Sequence, residues 1–99
     1  MEARAESECG LLISWGLFEV IETGEKHIIG HASAYGFDVI TQELAHFDFN
    51  AKTKTGIAVT KTGILYHLHG KPLKFGVKGH HQLREFVDIH QCKIKVLKV

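Results

Sequence analysis

The sequence predicts an α+β fold: a mainly antiparallel β-sheet of about five or six strands, with one C-terminal helix over about residues 79–91 packed on it. Three observations lead there. A single proline, Pro72, stands among 99 residues, so nearly the whole chain is able to enter a hydrogen-bonded ladder. β-branched and aromatic residues recur in short runs separated by glycine-containing turns, the pattern of successive strands. Only one segment carries apolar residues at helical spacing.

The elements follow in order. Residues 11–21 are almost continuously apolar, with Ile13, Trp15 and Leu17 on one face and Leu12, Phe18 and Val20 on the other. A strand apolar on both faces belongs near the middle of a sheet, and Gly16 within it marks a bend or bulge. Thr23-Gly24-Glu25 supplies a turn, and residues 26–34 return as the second strand of a hairpin. Residues 37–49 read as one long third strand; neither face is clean over its length, so a bulge between Gln42 and Ala45 is expected to reset the register. Residues 50–56 are polar and aperiodic, a connecting loop. Residues 57–60 and 64–69, joined by Lys61-Thr62-Gly63, form a second hairpin. In 79–91, Leu83, Phe86, Val87 and His90 fall at i, i+3, i+4 and i+7, one stripe of a helix that is stable only when docked. Residues 92–99 close the chain as a half-exposed strand whose lysines guard an edge against aggregation.

The length bounds the architecture to one domain over 1–99, because chains divide only beyond roughly 250 residues. Residues 1–10 are acidic with little to bury and are expected to be disordered. They lack the basic start of a secretory leader, and the apolar run after them is too short to span a bilayer, so a cytoplasmic protein without membrane contact is expected. Cys9 and Cys92 fit no CxxC pattern and read as free thiols rather than a bridge.

The formal charge of +1 conceals two opposed blocks. Residues 1–51 hold two cations against nine acids, −7, and residues 52–99 hold ten cations against two acids, +8. Such asymmetry points to a charged partner, although strands from the two halves that interleave in a sheet would cancel it. Nine of the ten cations in the second half are lysine, which favours general electrostatic attraction over the bidentate base reading of arginine.

The segment Val59-Thr-Lys-Thr-Gly-Ile-Leu-Tyr-His-Leu-His-Gly70, with Trp15 and Lys26-His-Ile-Ile-Gly-His31 upstream and the Phe47-Asp48 pair, resembles small uncharacterised bacterial β-rich proteins. Those carry a Val-Thr-x-Ser-Gly-x-x-Tyr-x-Leu-x-Gly segment; here Thr62 replaces the serine. The resemblance covers about residues 15–72. It implies a β-rich fold and an association with phages or mobile elements, and it implies no chemistry.

Eight histidines are the remaining compositional oddity. Two short ligand pairs, His67 with His69 and His90 with Cys92, would make a tetrahedral zinc set if the helix end lay over the second hairpin. His80 and His81 would add positive charge below neutrality. No catalytic motif is present, and the parts available for one, Cys9 or Cys92 beside a histidine and Asp48 or Glu43 beside His46, form no recognised signature.

These readings favour a non-catalytic, cofactor-free protein-binding module, such as a phage or mobile-element inhibitor of a host nucleic-acid-processing complex, anti-CRISPR-like in action. An acidic surface of Glu19, Glu22, Glu25, Asp38 and Glu43 would occupy a cationic groove, and a sheet edge would support a homodimer. The first alternative is nucleic-acid binding by Lys52, Lys54, Lys71, Lys74, Lys78, Lys93, Lys95 and Lys98 on phosphates. The second is a zinc-supported structural protein.

Overall fold

The computed structural model of the chain describes residues 8–32, 36–72 and 81–99. Seven strands and one short helix follow in order: β1 (Glu8–Val20), β2 (Lys26–Ala32), β3 (Phe37–Ile40), β4 (Leu44–Asn50), β5 (Thr55–Thr60), β6 (Leu65–His69), α1 (His81–His90) and β7 (Ile94–Leu97). The sheet runs β3-β2-β1-β6-β5-β4, with β7 also on β1. It is mixed: β1 and β6 are parallel, and the other five pairings are antiparallel. The parallel pair makes mixed a sheet that was expected to be mainly antiparallel. It arises because β6 returns to lie on β1, whose sequence shows only that both of its faces are apolar.

β1 is the hub. One of its edges carries β2, and the other carries β6 beside Glu8–Leu12 and then β7 beside Leu17–Val20. The register shifts between Ile13 and Gly16, and Ser14 adopts φ 48° there; this is the bulge that Gly16 signalled. An extra residue reverses which side chains face which side. Leu12, Trp15 and Leu17 therefore share one core cluster with Ile28, Ala32, Ala58 and Leu68, while Phe18 faces a second cluster with Ile29 and Leu83. Residues 8–10 pair as strand, and the rest of the stretch expected to be disordered, 1–7, lies outside the described residues.

The predicted third strand is two strands. Its halves occupy opposite ends of the sheet order, β3 beside β2 and β4 beside β5, and Thr41–Glu43 joins them. This division raises the count to seven. A three-residue link between the two ends of the order requires the sheet to roll over on itself, and Val39 of β3 packs on the same core as Leu44, Phe47 and Phe49 of β4. The link is pinned through Thr41: its amide donates to the Ile28 carbonyl at 2.9 Å and its hydroxyl accepts from the Ile28 amide at 3.0 Å. His27 adds an Nδ1–H donated to the Thr41 carbonyl at 2.9 Å, and its buried ring stacks on Phe18 and meets Phe86 edge-on. The β4–β5 register does shift between Leu44 and His46, so the expected bulge exists as well as the break.

Two glycines permit the closest approaches. A Cβ on Gly30 would lie 3.1 Å from the Cβ of Trp15, and one on Gly56 would collide with the Asp48 carbonyl oxygen. α1 places Leu83 in the cluster with Phe18 and Ile29, with Phe86, Ile40 and Ile94 against it. Of the expected stripe, Leu83 is buried, Phe86 and Val87 are half-buried and His90 is exposed. Among the described residues no helix is long and apolar enough to cross a membrane.

Candidate functional site

Among the described residues β4 is the longest strand at an edge of the sheet. Its side chains alternate, with Phe47 and Phe49 half-buried and His46, Asp48 and Asn50 exposed. The inward rings close on Trp15, which is wholly buried, at centroid distances of 5.8 and 5.1 Å. The indole N–H of Trp15 donates to the Gly70 carbonyl at 3.0 Å, which satisfies the one polar atom that its burial would otherwise strand. β4 is thus held rigidly from its inner face.

The direction of its backbone groups follows from the ladder. The Thr60 amide donates to the Ile64 carbonyl at 2.9 Å, so the backbone groups of Thr60, Ala58 and Gly56 face β6. Alternation turns those of Thr55, Ile57 and Val59 toward β4, where their partners are Asn50, Asp48 and His46. The amides and carbonyls of Phe47 and Phe49 consequently point to the outer edge, and among the described residues no strand pairs there. Behind this edge the outward face holds an open groove lined by Asp48, Asn50, Thr55, Ile57 and His67.

The other two edges differ. On β3 the Asp38 carbonyl accepts from the Gln82 side chain at 3.1 Å, and the four-residue β7 is flanked or interrupted by Lys93, Lys95 and Lys98. β4 is seven residues long and contains no lysine.

The expected acidic surface is threaded with partners. Glu19 stands between Lys26 and Lys95 in register. Glu22 accepts the Lys93 amide at 3.0 and 3.2 Å, and this bond holds its carboxyl below the ordinary glutamate range. Glu25 approaches His27 Nε2 at 3.6 Å, too far for a hydrogen bond, and among the described residues that nitrogen has no hydrogen-bond partner. Asp38 pairs with His31 at 2.9 Å and Glu43 with Lys61 at 3.1 Å. The opposed charge blocks of the sequence interleave here because β1 and its turn, from the acidic half, lie beside β7, from the basic half.

Of the phosphate-binding candidates, Lys52 and Lys54 occupy the β4–β5 turn, whose Lys54 carbonyl accepts from the Gly70 amide next to Lys71. Lys93, Lys95 and Lys98 belong to β7 and its flanks, while Lys74, Lys78 and His80 lie outside the described residues. The two zinc pairs are not brought together. His67 is beside Leu11, whereas His90 and Cys92 precede Ile94, which is beside Val20; nine residues of strand separate those positions by roughly 25–30 Å. Among the described residues no three His, Cys, Asp or Glu side chains gather as ligands. Cys92 is a free thiol, and desolvation, with Glu22 nearby, pushes its ionisation upward.

His46 and Asp48 are legible in the sequence as a titratable pair, but the reading of 37–49 as one strand gives no sign that they lie on an edge strand. Compared with protein-family models, curated proteins and solved structures, the chain matches none.

Proposed function

We propose that this chain is a non-catalytic protein-binding module that works by strand addition at β4. The observation that carries the reading is the outward row of backbone groups at Phe47 and Phe49 on a seven-residue strand anchored from behind by Trp15. Strand addition draws its affinity from main-chain hydrogen bonds and its selectivity from the alternating side chains, here His46 and Asp48. The binding surface is placed on β4 rather than on the acids because those carboxylates already have contacts within the chain.

A host nucleic-acid-processing complex is the partner class this reading inherits from the sequence. The test is quantitative capture from the native host with the wild-type chain, the His46→Lys/Asp48→Lys double variant and a Glu19→Lys/Glu25→Lys double variant. Edge lysines oppose strand pairing, so the β4 variant is expected to lose the captured protein and the acid variant to keep it. Undiminished capture by the β4 variant overturns the proposal.

A further inference from the structure

We infer that the strand β4 accepts is β4 of a second copy, paired antiparallel about a two-fold axis at Phe47. This inference rests on the strand-addition reading above and adds a second copy of the chain as an occupant that competes with the host protein for the same edge. In that register Phe47 meets its own counterpart, His46 meets Asp48 of the copy, and Asp48 meets His46. Both side chains are exposed and lie on the same, outward face, so the pairing opposes an imidazole to a carboxylate twice. No neighbouring register does this: an axis at His46 or Asp48 sets like groups against each other.

The backbone supports the same register. Phe47 turns its amide and carbonyl outward, so Phe47 and its counterpart form a hydrogen-bonded pair. His46 and Asp48 then fall at the adjacent non-hydrogen-bonded positions, where opposed side chains approach most closely, with Cα atoms about 4.5 Å apart. The inward phenyl rings stay in their own cores, because a two-fold axis normal to the sheet keeps each face on its side. The bulge between Leu44 and His46 bounds the paired stretch, since Ala45 is the residue that would meet Phe49 of the copy. Among the described residues His67 on β6 shares the outward groove with Asp48 across Ile57.

The experiment is sedimentation velocity on the full chain at low salt and pH 6. The wild type is expected to dimerise. His46→Asp and Asp48→His each set like groups opposite one another twice and should weaken the dimer by roughly tenfold or more, and the double exchange His46→Asp/Asp48→His should restore it. A monomeric wild type, or a dimer indifferent to the single exchanges, overturns the inference. If the exchanged chains fail to fold by circular dichroism, hydrogen exchange on the wild type decides: the outward amides of Phe47 and Phe49 should slow as concentration rises, and concentration-independent exchange there overturns it. A monomeric wild type whose β4 variant still loses a captured protein defeats self-pairing alone. A charge-exchange pattern with capture untouched by β4 variants supports self-pairing and defeats the host-partner reading.

Discussion

The sheet treats its edges in two ways. β3 and β7 are defended: the first has its Asp38 carbonyl occupied by Gln82, and the second is short and carries Lys95 within it and Lys93 and Lys98 at its ends. β4 has neither device. It is longer, bears one acid and one histidine on its exposed face, and is backed by the most aromatic part of the core. Undefended edges invite association, and the difference teaches that inner packing and outer availability are coupled here. The Trp15–Phe47–Phe49 contacts hold β4 from its inner face, opposite the exposed His46 and Asp48.

The contrast breaks most severely if that backing is removed. Trp15→Ala deletes a wholly buried indole together with its bond to Gly70 and is expected to cost about 3–5 kcal/mol, measured by denaturant unfolding. The His46 and Asp48 amides, which face β5, should lose exchange protection ahead of those in β2. Gly56→Ala comes next. A Cβ there strikes the Asp48 carbonyl, so β4 must move off β5 at a cost of about 1–3 kcal/mol, and amide exchange should locate the loosening in β4 and β5 with β7 unaffected.

A smaller change sharpens the comparison from the defended side. Gln82→Ala uncovers the Asp38 carbonyl and should cost only about 0.5 kcal/mol, the low end for a single exposed hydrogen bond. Its informative readout is association: if side-chain capping is what keeps β3 out of pairing, this variant should self-associate more than the wild type in sedimentation.

The smallest effect concerns Glu22, which ties the β1–β2 turn to the start of β7 through the Lys93 amide. Its carboxyl is held below the ordinary value of 4.5. The folded state therefore favours the ionised form, so this contribution is complete well above that value and lost as the pH falls through it toward the lowered folded value. Glu22→Gln should flatten that limb of the stability–pH curve, as followed by thermal melts from pH 7 to 3, and leave β4 exchange unchanged.

Much of the local structure was legible. The two-sided apolar run around Trp15 announced a central strand, because only a strand covered on both faces tolerates it, and the Leu83, Phe86, Val87 spacing announced the helix. What was hidden was the partition of 37–49. Alternation reports which residues share a face, and a bulge and a change of sheet position disturb it in the same way. Thr41 ends β3 by exchanging bonds with Ile28, a contact across 13 positions in the chain that no local pattern records. His46 and Asp48 could be noticed as neighbours of complementary chemistry, but their meaning as edge residues required knowing what lies beside them.

The charge blocks carry the same lesson. The −7 and +8 halves are properties of the sequence, and their interleaving is a property of the topology: Glu19 sits between Lys26 and Lys95 only because β1 accepts β2 on one edge and β7 on the other. By itself the sequence determined a β-rich sheet with one helix, a central first strand and the faces of most elements, since those depend on periodicity within a few residues. The tertiary structure alone decided the parallel β1–β6 pair, the division of β3 from β4, and which strand of the described residues ends the sheet beyond β5. Those depend on long-range backbone pairing, where each amide and carbonyl is chemically like every other and only position in the sheet distinguishes them.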